Sequence, residues 1–390
     1  MDAEAEMKIR VNDAIAAIPP EAWDACANSE AGTYSPFLSH AFLHALEASG
    51  CVHPRTGWLP QHLALEDEHG RILGVMPLYL KSHSQGEYVF DHGWAHAYEQ
   101  AGGDYYPKLQ SCVPFTPVTG KRLLAAPGTN SEAVEDALIG GAVELVKLHD
   151  ASSLHITFLK EAEWRAHGDS RILQRMDQQF HWVNENYASF DDFLASLASR
   201  KRKAIRKERR DAAASAISFE HLRGADITEA HWDAFFDFYQ DTGNRKWGRP
   251  YLNRRFFSMI GETMADRILL IMCRRDGRMI AGALNLIGGD ALYGRYWGAL
   301  EHHPFLHFET CYYQAIDFAI ANGLTRVEAG AQGEHKLARG YLPQTTYSLH
   351  YLAHPGLRRA VAAFLQQERR AVAEEGRILA EMGPFRKSGG

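Results

Sequence analysis

The densest set of side chains able to do chemistry lies in RVEAGAQGEHKLARGYL, residues 326 to 342. A short strand is expected to end at Glu328. Gly330 and Gly333 then let the chain bend sharply before Glu334, His335, Lys336 and Arg339. A carboxylate and an imidazole in one small volume suit proton transfer, and the adjoining cations suit an anionic group. The same residues would also suit a polar surface turn. Upstream, FLHFETCYYQ puts His307 and Glu309 in the first turn of a predicted helix. There Glu309 either complements the helix dipole or faces a cleft.

Several other chemistries lose support. His302, His303 and His307 form a cluster, but adjacent histidines diverge on most backbones and no HExxH or closed Cys/His set exists, so no metal site is expected. There is no GxSxG elbow, no P-loop and no strand followed by GxGxxG. Cys311 falls within an apolar helical stripe and reads as a core thiol. Direct transfer between two bound substrates is the simplest enzyme model left.

The elements that must position these residues occur twice. HLALEDEHGRILGVMPLYL followed by GEYVFDHGW in the first half parallels RILLIMCRRDGRMIAGALNLI followed by ALYGRYWG in the second. Each reads as strand, tight turn at Gly70-Arg71 or Gly277-Arg278, strand, turn and strand. Each is followed by a helix, over 134–148 or 307–321, and by a short apolar strand, Leu154 to Leu159 or Leu324 to Glu328. Phe308, Cys311, Tyr312, Ala315, Ile316 and Ala319 form one stripe of the second helix, and Gly323 is placed to cap it. Trp232, Phe235, Phe236 and Tyr239 follow a capping-box spacing and read as core.

The chain has 390 residues and a net charge of -6, which predicts no general attraction to nucleic acid. Yet residues 200 to 210 hold eight Lys or Arg and one Glu, a local charge of +7 against -13 for the rest. A helix there could hold phosphate through Arg202 and Arg206, or could simply be a solvated face. Residues 99 to 132 read as an ordered, proline-rich excursion, whose Tyr105, Tyr106, Lys108 and Arg122 either line a cleft or pack it down. We therefore expect a first lobe over 1–187, a basic connecting helix over 188–212 and a second, site-bearing lobe over 213–390. Five cysteines without CxxC spacing and an N-terminus without a signal pattern predict a cytoplasmic protein. No run of eighteen apolar residues predicts a transmembrane segment, and peripheral attachment to the inner membrane face stays open.

YYPKLQSCVPFTPVTG, SRKRKAIRKERR and FETCYYQAIDFAIANGLTRVEAGAQGEHKLARGYLP together resemble the FemAB-like branch of the acyl-CoA N-acyltransferase superfamily over most of the chain. The resemblance implies an α/β (mixed α+β) fold of tandem acyltransferase-like lobes with largely antiparallel sheets whose middle strands splay. It also implies transfer of an acyl or aminoacyl group to an amine, as in the ligases of peptidoglycan precursors. Arg339, Gly340 and Tyr341 match the end of a basic-Gly-aromatic motif of those ligases, but Ala338 stands where they commonly have lysine. Trp297-Gly298-Ala299-Leu300-Glu301 replaces the usual pyrophosphate-binding loop.

On this reading no cofactor is tightly bound, and acyl-CoA or aminoacyl-tRNA is the donor cosubstrate. The acceptor is a small-molecule or lipid-linked amine, with tRNA as a partner through the basic helix. Glu328 or His335 is the expected base, with Glu309 and Glu334 as secondary candidates. Lys336, Arg339, Arg202 and Arg206, with backbone donors beginning at Gly298, are the expected holders of donor or acceptor phosphate. The competing reading is a noncatalytic polyanion-binding or assembly protein with an acyltransferase-like fold.

Overall fold

A computed structural model describes residues 7–214, 216–246, 250–330 and 333–386, with backbone alone at 244, 246 and 334. The chain forms two compact units, residues 1–177 with 345–374 and residues 178–344 with 375–390. This division differs from the chain-order partition at 187 and 212 expected above. The long-range ladder of residues 347–352 with 153–159 returns residues 345–374 to the first unit, and local patterns cannot report such pairing.

In the first unit, β1 (Lys8–Asn12), β3 (His62–Glu66), β4 (Ile72–Met76) and β7 (Leu124–Ala125) form an antiparallel sheet in the order β1-β3-β4-β7. In a second sheet β2 (Trp58–Pro60), β5 (Tyr79–Lys81), β6 (Lys108–Ser111) and β8 (Ser153–Leu159) are successive neighbours, and residues 347–352 pair with β8. Its β6 and β8 are parallel. Helix α1 (Ser131–Leu148) buries Val134, Leu138, Ala142 and Val146 with Leu63, Leu65 and Ile156. The stretch GEYVFDHGW is not the third strand that the repeat predicts. Tyr88 takes a left-handed φ of 61°, and the segment buries Glu87 and Asp91 as partners for Lys108 before a helix at His92–Gln100.

The second unit follows the predicted meander. The strands β10 (Ile217–Leu222), β11 (Ile268–Arg275), β12 (Arg278–Ile287) and β13 (Ala291–Ala299) are successively antiparallel. Asp276 and Gly277, both at positive φ, make the β11–β12 turn, the backbone that a two-residue hairpin of this hand requires. The strand β14 (Arg326–Glu328) then runs parallel to β13, and the end of β9 (Ile172–Val183) pairs antiparallel with β14.

Within 188–212, Phe193 and Ile205 bury in the second unit's core, so the basic helix α2 (Ser199–Ala213) is an integral part of that unit. Helix α3 (Glu229–Lys246) buries Trp232, Phe235 and Tyr239, as its stripe predicts. The helical run 306–321 (α4) joins Leu306–Phe308, a π turn at Glu309–Tyr313, and Gln314–Ala321, ending before Gly323 at φ 65°. Among the described residues no helix is long and apolar enough to cross a membrane.

Gly298 serves packing. A β-carbon there would stand 2.2 Å from the Phe238 carbonyl carbon and oxygen, so the missing side chain lets the α3 backbone lie directly on β13. Gly298→Ala should therefore lower unfolding free energy by roughly 1–3 kcal/mol. The check is the urea midpoint at constant m-value, and an unmoved midpoint would show that α3 recedes freely.

Candidate functional site

The site is built where β13 and β14 part. Their parallel pairing is confined to Ala291 with Arg326, Leu292 with Val327 and Tyr293 with Glu328. Beyond that point β13 continues along β12 while β14 ends. A bulge accompanies the separation: Leu284 pairs with Tyr296 and Asn285 with Gly294, leaving Arg295 as the extra residue. A chamber of about 110 Å³ opens there, lined among others by Asn285, Gly294, Arg295, His307, Tyr312 and Ala329. A wider groove of about 480 Å³ adjoins it, lined by Arg245, His302, His303, Trp297 and the first residues of α4. Trp297 and His307 line both.

Glu328, at the last paired position, is only 2% exposed. Its Oε1 accepts from Arg326 Nε at 3.1 Å, and its Oε2 lies 3.6 Å from Arg295 Nη2 and 3.9 Å from His181 Nε2. Burial alone would raise its pKa. His181, Arg295 and Arg326 outweigh that and hold the carboxyl below the usual carboxylate range. Glu328 is thus an ionised anchor for two arginines. Arg326 is tied in turn to Asp290 and to the Tyr293 hydroxyl.

The loop expected to hold both base and cations divides by depth. His335 is exposed, and its Nε2 lies 2.8 Å from the Tyr312 hydroxyl, with the rings of Phe308 and His307 at 5.8 and 6.3 Å. The side chain of Glu334 lies outside the described residues. Lys336 is buried and donates to the Gly330 carbonyl at 2.9 Å. Arg339 is also buried: it grips Glu208 of α2 through Nε and Nη2, donates to the His335 carbonyl at 2.7 Å and lies over the Phe308 ring at 3.4 Å. These two cations shape the loop from within and present little charge to a ligand. Glu309 is buried as well, paired with Arg209 and accepting from Gln314.

On α2, Arg209 and Glu208 face inward, whereas Lys203, Arg206, Lys207 and Arg210 are exposed and Arg202 is half-buried. Arg206 pairs with exposed Asp191 at 2.9 Å. Neither Arg202 nor Arg206 lines the chamber or the groove, and Gly298 is taken up by α3. The structure brings His335 and Glu328 into one unit, but the opening is also lined by Asn285, Gly294 and Arg295, which the sequence did not single out, and by Tyr312, which it read only as part of a packing stripe. Only the predicted splay of the middle strands signalled them.

The family model of the FemAB-like proteins, described as peptidoglycan biosynthesis/recognition, matches residues 14–387. The chain belongs to the FemAB-like family. No curated protein matches it. Among solved structures, FemX is 13% identical, with 88% of this chain and 98% of FemX covered at a TM-score of 0.53. The C-terminal domain of a putative lysylphosphatidylglycerol synthetase from Agrobacterium fabrum is 8% identical, with 89% and 96% covered at 0.53. The L-PGS of Bacillus licheniformis is 7% identical, with 85% and 98% covered at 0.51. At such identities the likeness is one of fold, and it makes this FemAB-like protein a tandem acyltransferase-like α+β structure.

The first unit of this FemAB-like chain holds a second concentration of charge. Lys108 donates to Ser84 and Glu87 at 2.7 Å and to Asp91 at 2.5 Å, and Asp91 accepts from Tyr105 at 2.8 Å. Lys81, over the Trp58 ring, is pushed down to about 7, mainly by burial. Tyr105, Lys108 and Arg122 are fully buried, so these parts of the excursion pack it down.

Lys336 gives this geometry a measurable signature. Burial, reinforced by the nearby Arg295 charge, pushes its amine from 10.5 down to about 8. Below that pH the amine is charged in both folded and unfolded chains and its burial cost is fully felt. Between about 8 and 10.5 the folded protein has released the proton that the unfolded chain keeps, so stability rises with pH. Relative to Lys336→Met, the wild type should gain roughly 2–3 kcal/mol across this window. Urea unfolding at stepped pH checks it, and parallel curves for the two proteins would mean a solvated amine.

Proposed function

We propose that this protein is an N-acyltransferase that works at the β13/β14 opening of its second unit, moving an acyl group from an activated ester or thioester to an amine. The observation that carries this reading is the opening itself: two parallel strands part after Glu328, a buried carboxylate held by two arginines, and the chamber between them is lined by Tyr312, whose hydroxyl is hydrogen-bonded to exposed His335. The groove offers the donor's anionic portion Arg245, His302, His303 and the amino end of the sixteen-residue run 306–321. The family description supports an amine of a cell-wall precursor as the acceptor in this reading.

The chemistry uses a proton path present in the fold. As the amine nitrogen bonds to the acyl carbon, its proton passes to the Tyr312 oxygen while the Tyr312 proton moves to His335 Nε2. When the bond between acyl carbon and carrier breaks, the same path returns the proton to the leaving sulfur or oxygen. Burial keeps the Tyr312 hydroxyl protonated at neutral pH, well above the usual phenol range, which suits a relay. Glu328 fixes Arg295 and Arg326 beside the opening and takes no proton. In this reading Arg339 positions His335 through its carbonyl.

Exposed Lys203, Lys207 and Arg210 support a second role, electrostatic capture of a phosphate-bearing partner by α2. That role is compatible with transfer and does not supply it.

An amine-acylation screen with acyl-CoA and aminoacyl-tRNA donors tests the reading. His335→Gln and Tyr312→Phe should each lower kcat by about 10²-fold or more, with donor affinity within about threefold of wild type. Full turnover in both variants would remove the couple from the chemical step.

A further inference from the structure

The outer face of α2 is left unused by the fold. Arg200, Lys203 and Lys207 are exposed, and none of them holds an ion pair or a hydrogen bond among the described residues. Their spacing of three and four residues sets them on one side of the helix, in a row about 10 Å long. Arg206 and Arg210 flank that row, and each is balanced, by Asp191 at 2.9 Å and by Asp211 at 3.9 Å. The inward side is fixed by Ile205 in the core and by the ion pairs of Glu208 and Arg209, so the helix cannot roll to hide its free charge.

Apolar side chains stand at the amino end of α2, where the row begins. The Ala198 backbone donates to the Pro384 carbonyl at 2.9 Å, and that of Arg386 to the Ser196 carbonyl at 3.0 Å, so the last described residues are tied to the entry of the helix. Leu379 and Phe385 pack on the second unit's core, whereas Ile378 and Met382 are 43% and 64% exposed. The Met382 amide donates to the Ile378 carbonyl at 3.1 Å, which puts the two side chains one turn apart on one face. Arg386 is exposed and adds a cation, while Arg377 is balanced by Glu381.

A nucleic acid would match the row of cations, but it has no use for two aliphatic side chains, and the row carries no aromatic ring on which a base could stack. An anionic bilayer matches both features. Cations gain from its negative surface potential, and aliphatic side chains gain from leaving water at the boundary of headgroups and acyl chains. The chain as a whole carries a net charge of -6, so its other faces are repelled from such a surface and this one is turned toward it.

We propose that the outer face of α2 and the adjoining turn of Ile378 and Met382 dock this protein on an anionic lipid bilayer, the cations meeting lipid phosphates and the two aliphatic side chains entering the headgroup layer. The proposal rests on the capture role given to α2 above and commits its phosphate-bearing partner to a lipid surface. It is independent of which residues carry out acyl transfer.

The test sediments the full-length protein with vesicles of phosphatidylcholine, alone or with about 30% phosphatidylglycerol, in about 0.1 M KCl. Wild type should bind the phosphatidylglycerol vesicles at least about 20-fold more tightly, and raising the salt to about 0.5 M should remove most of that difference. The triple variant Arg200→Gln, Lys203→Gln, Lys207→Gln should lose about fivefold in affinity per charge, about 100-fold in all. Ile378→Ser with Met382→Ser keeps every charge and should weaken vesicle binding by about tenfold. Equal binding to the two kinds of vesicle overturns the proposal, as does full affinity in the triple variant. Full affinity in the serine variant, or tighter binding to a tRNA mixture than to the phosphatidylglycerol vesicles, also overturns it, by making the row a general polyanion site. Each of these results leaves acyl transfer, which is assayed with soluble amines, standing.

Discussion

The second unit's site depends on one buried carboxylate. Glu328 occupies the last position at which β13 and β14 are paired, and around it converge guanidinium groups from β13 and β14 and an imidazole from β9. A carboxylate this deep is tolerable only because cations surround it, and buried guanidinium groups need the carboxylate equally. The strands can therefore part immediately beyond it without the opening collapsing into apolar contact. The bulge that makes Arg295 the extra residue of β13 accompanies the same separation.

A second layer holds the side chains beside the opening. Glu208 grips Arg339 and the Tyr313 hydroxyl, Arg339 holds the His335 carbonyl and covers Phe308, and Arg209 ties Glu309 and Asp317 to α2. The inner side of the most basic helix is thus spent on organising α4 and the turn after β14, while its outer side stays in solvent. One helix separates structural from available charge by face alone.

Much of the scaffold was legible from the sequence. The β11–β12 hairpin was legible through the turn read at Gly277-Arg278, one residue beyond the Asp276-Gly277 pair that makes it, and the stripes of α3 and α4 through their spacing, because these signals are local. The site was legible only in part. The loop rich in Glu, His, Lys and Arg was visible, but spacing cannot say that Lys336 and Arg339 turn inward while His335 stays exposed. Nor can it report that Glu328 meets residues from β9 and β13, a fact of strand order. The misread stretch GEYVFDHGW has strand-like composition, but burying Glu87 and Asp91 against Lys108 overrides that preference. Asn285 is the one polar side chain between Met279 and Ile287, a signal present in the sequence whose meaning depends on the bulge opposite.

The π turn of α4 has a consequence for comparing this chain with distant relatives. A widened turn spends one more residue per hydrogen-bonded loop than the α-helical turns on either side, so positions before Glu309 and after Tyr313 do not share a single angular count. A relative lacking the widening would match on both flanks only if one residue were skipped between them. Ungapped matching through this stretch would then pair Tyr312 with a residue that points elsewhere, and a shared position would look like a substitution.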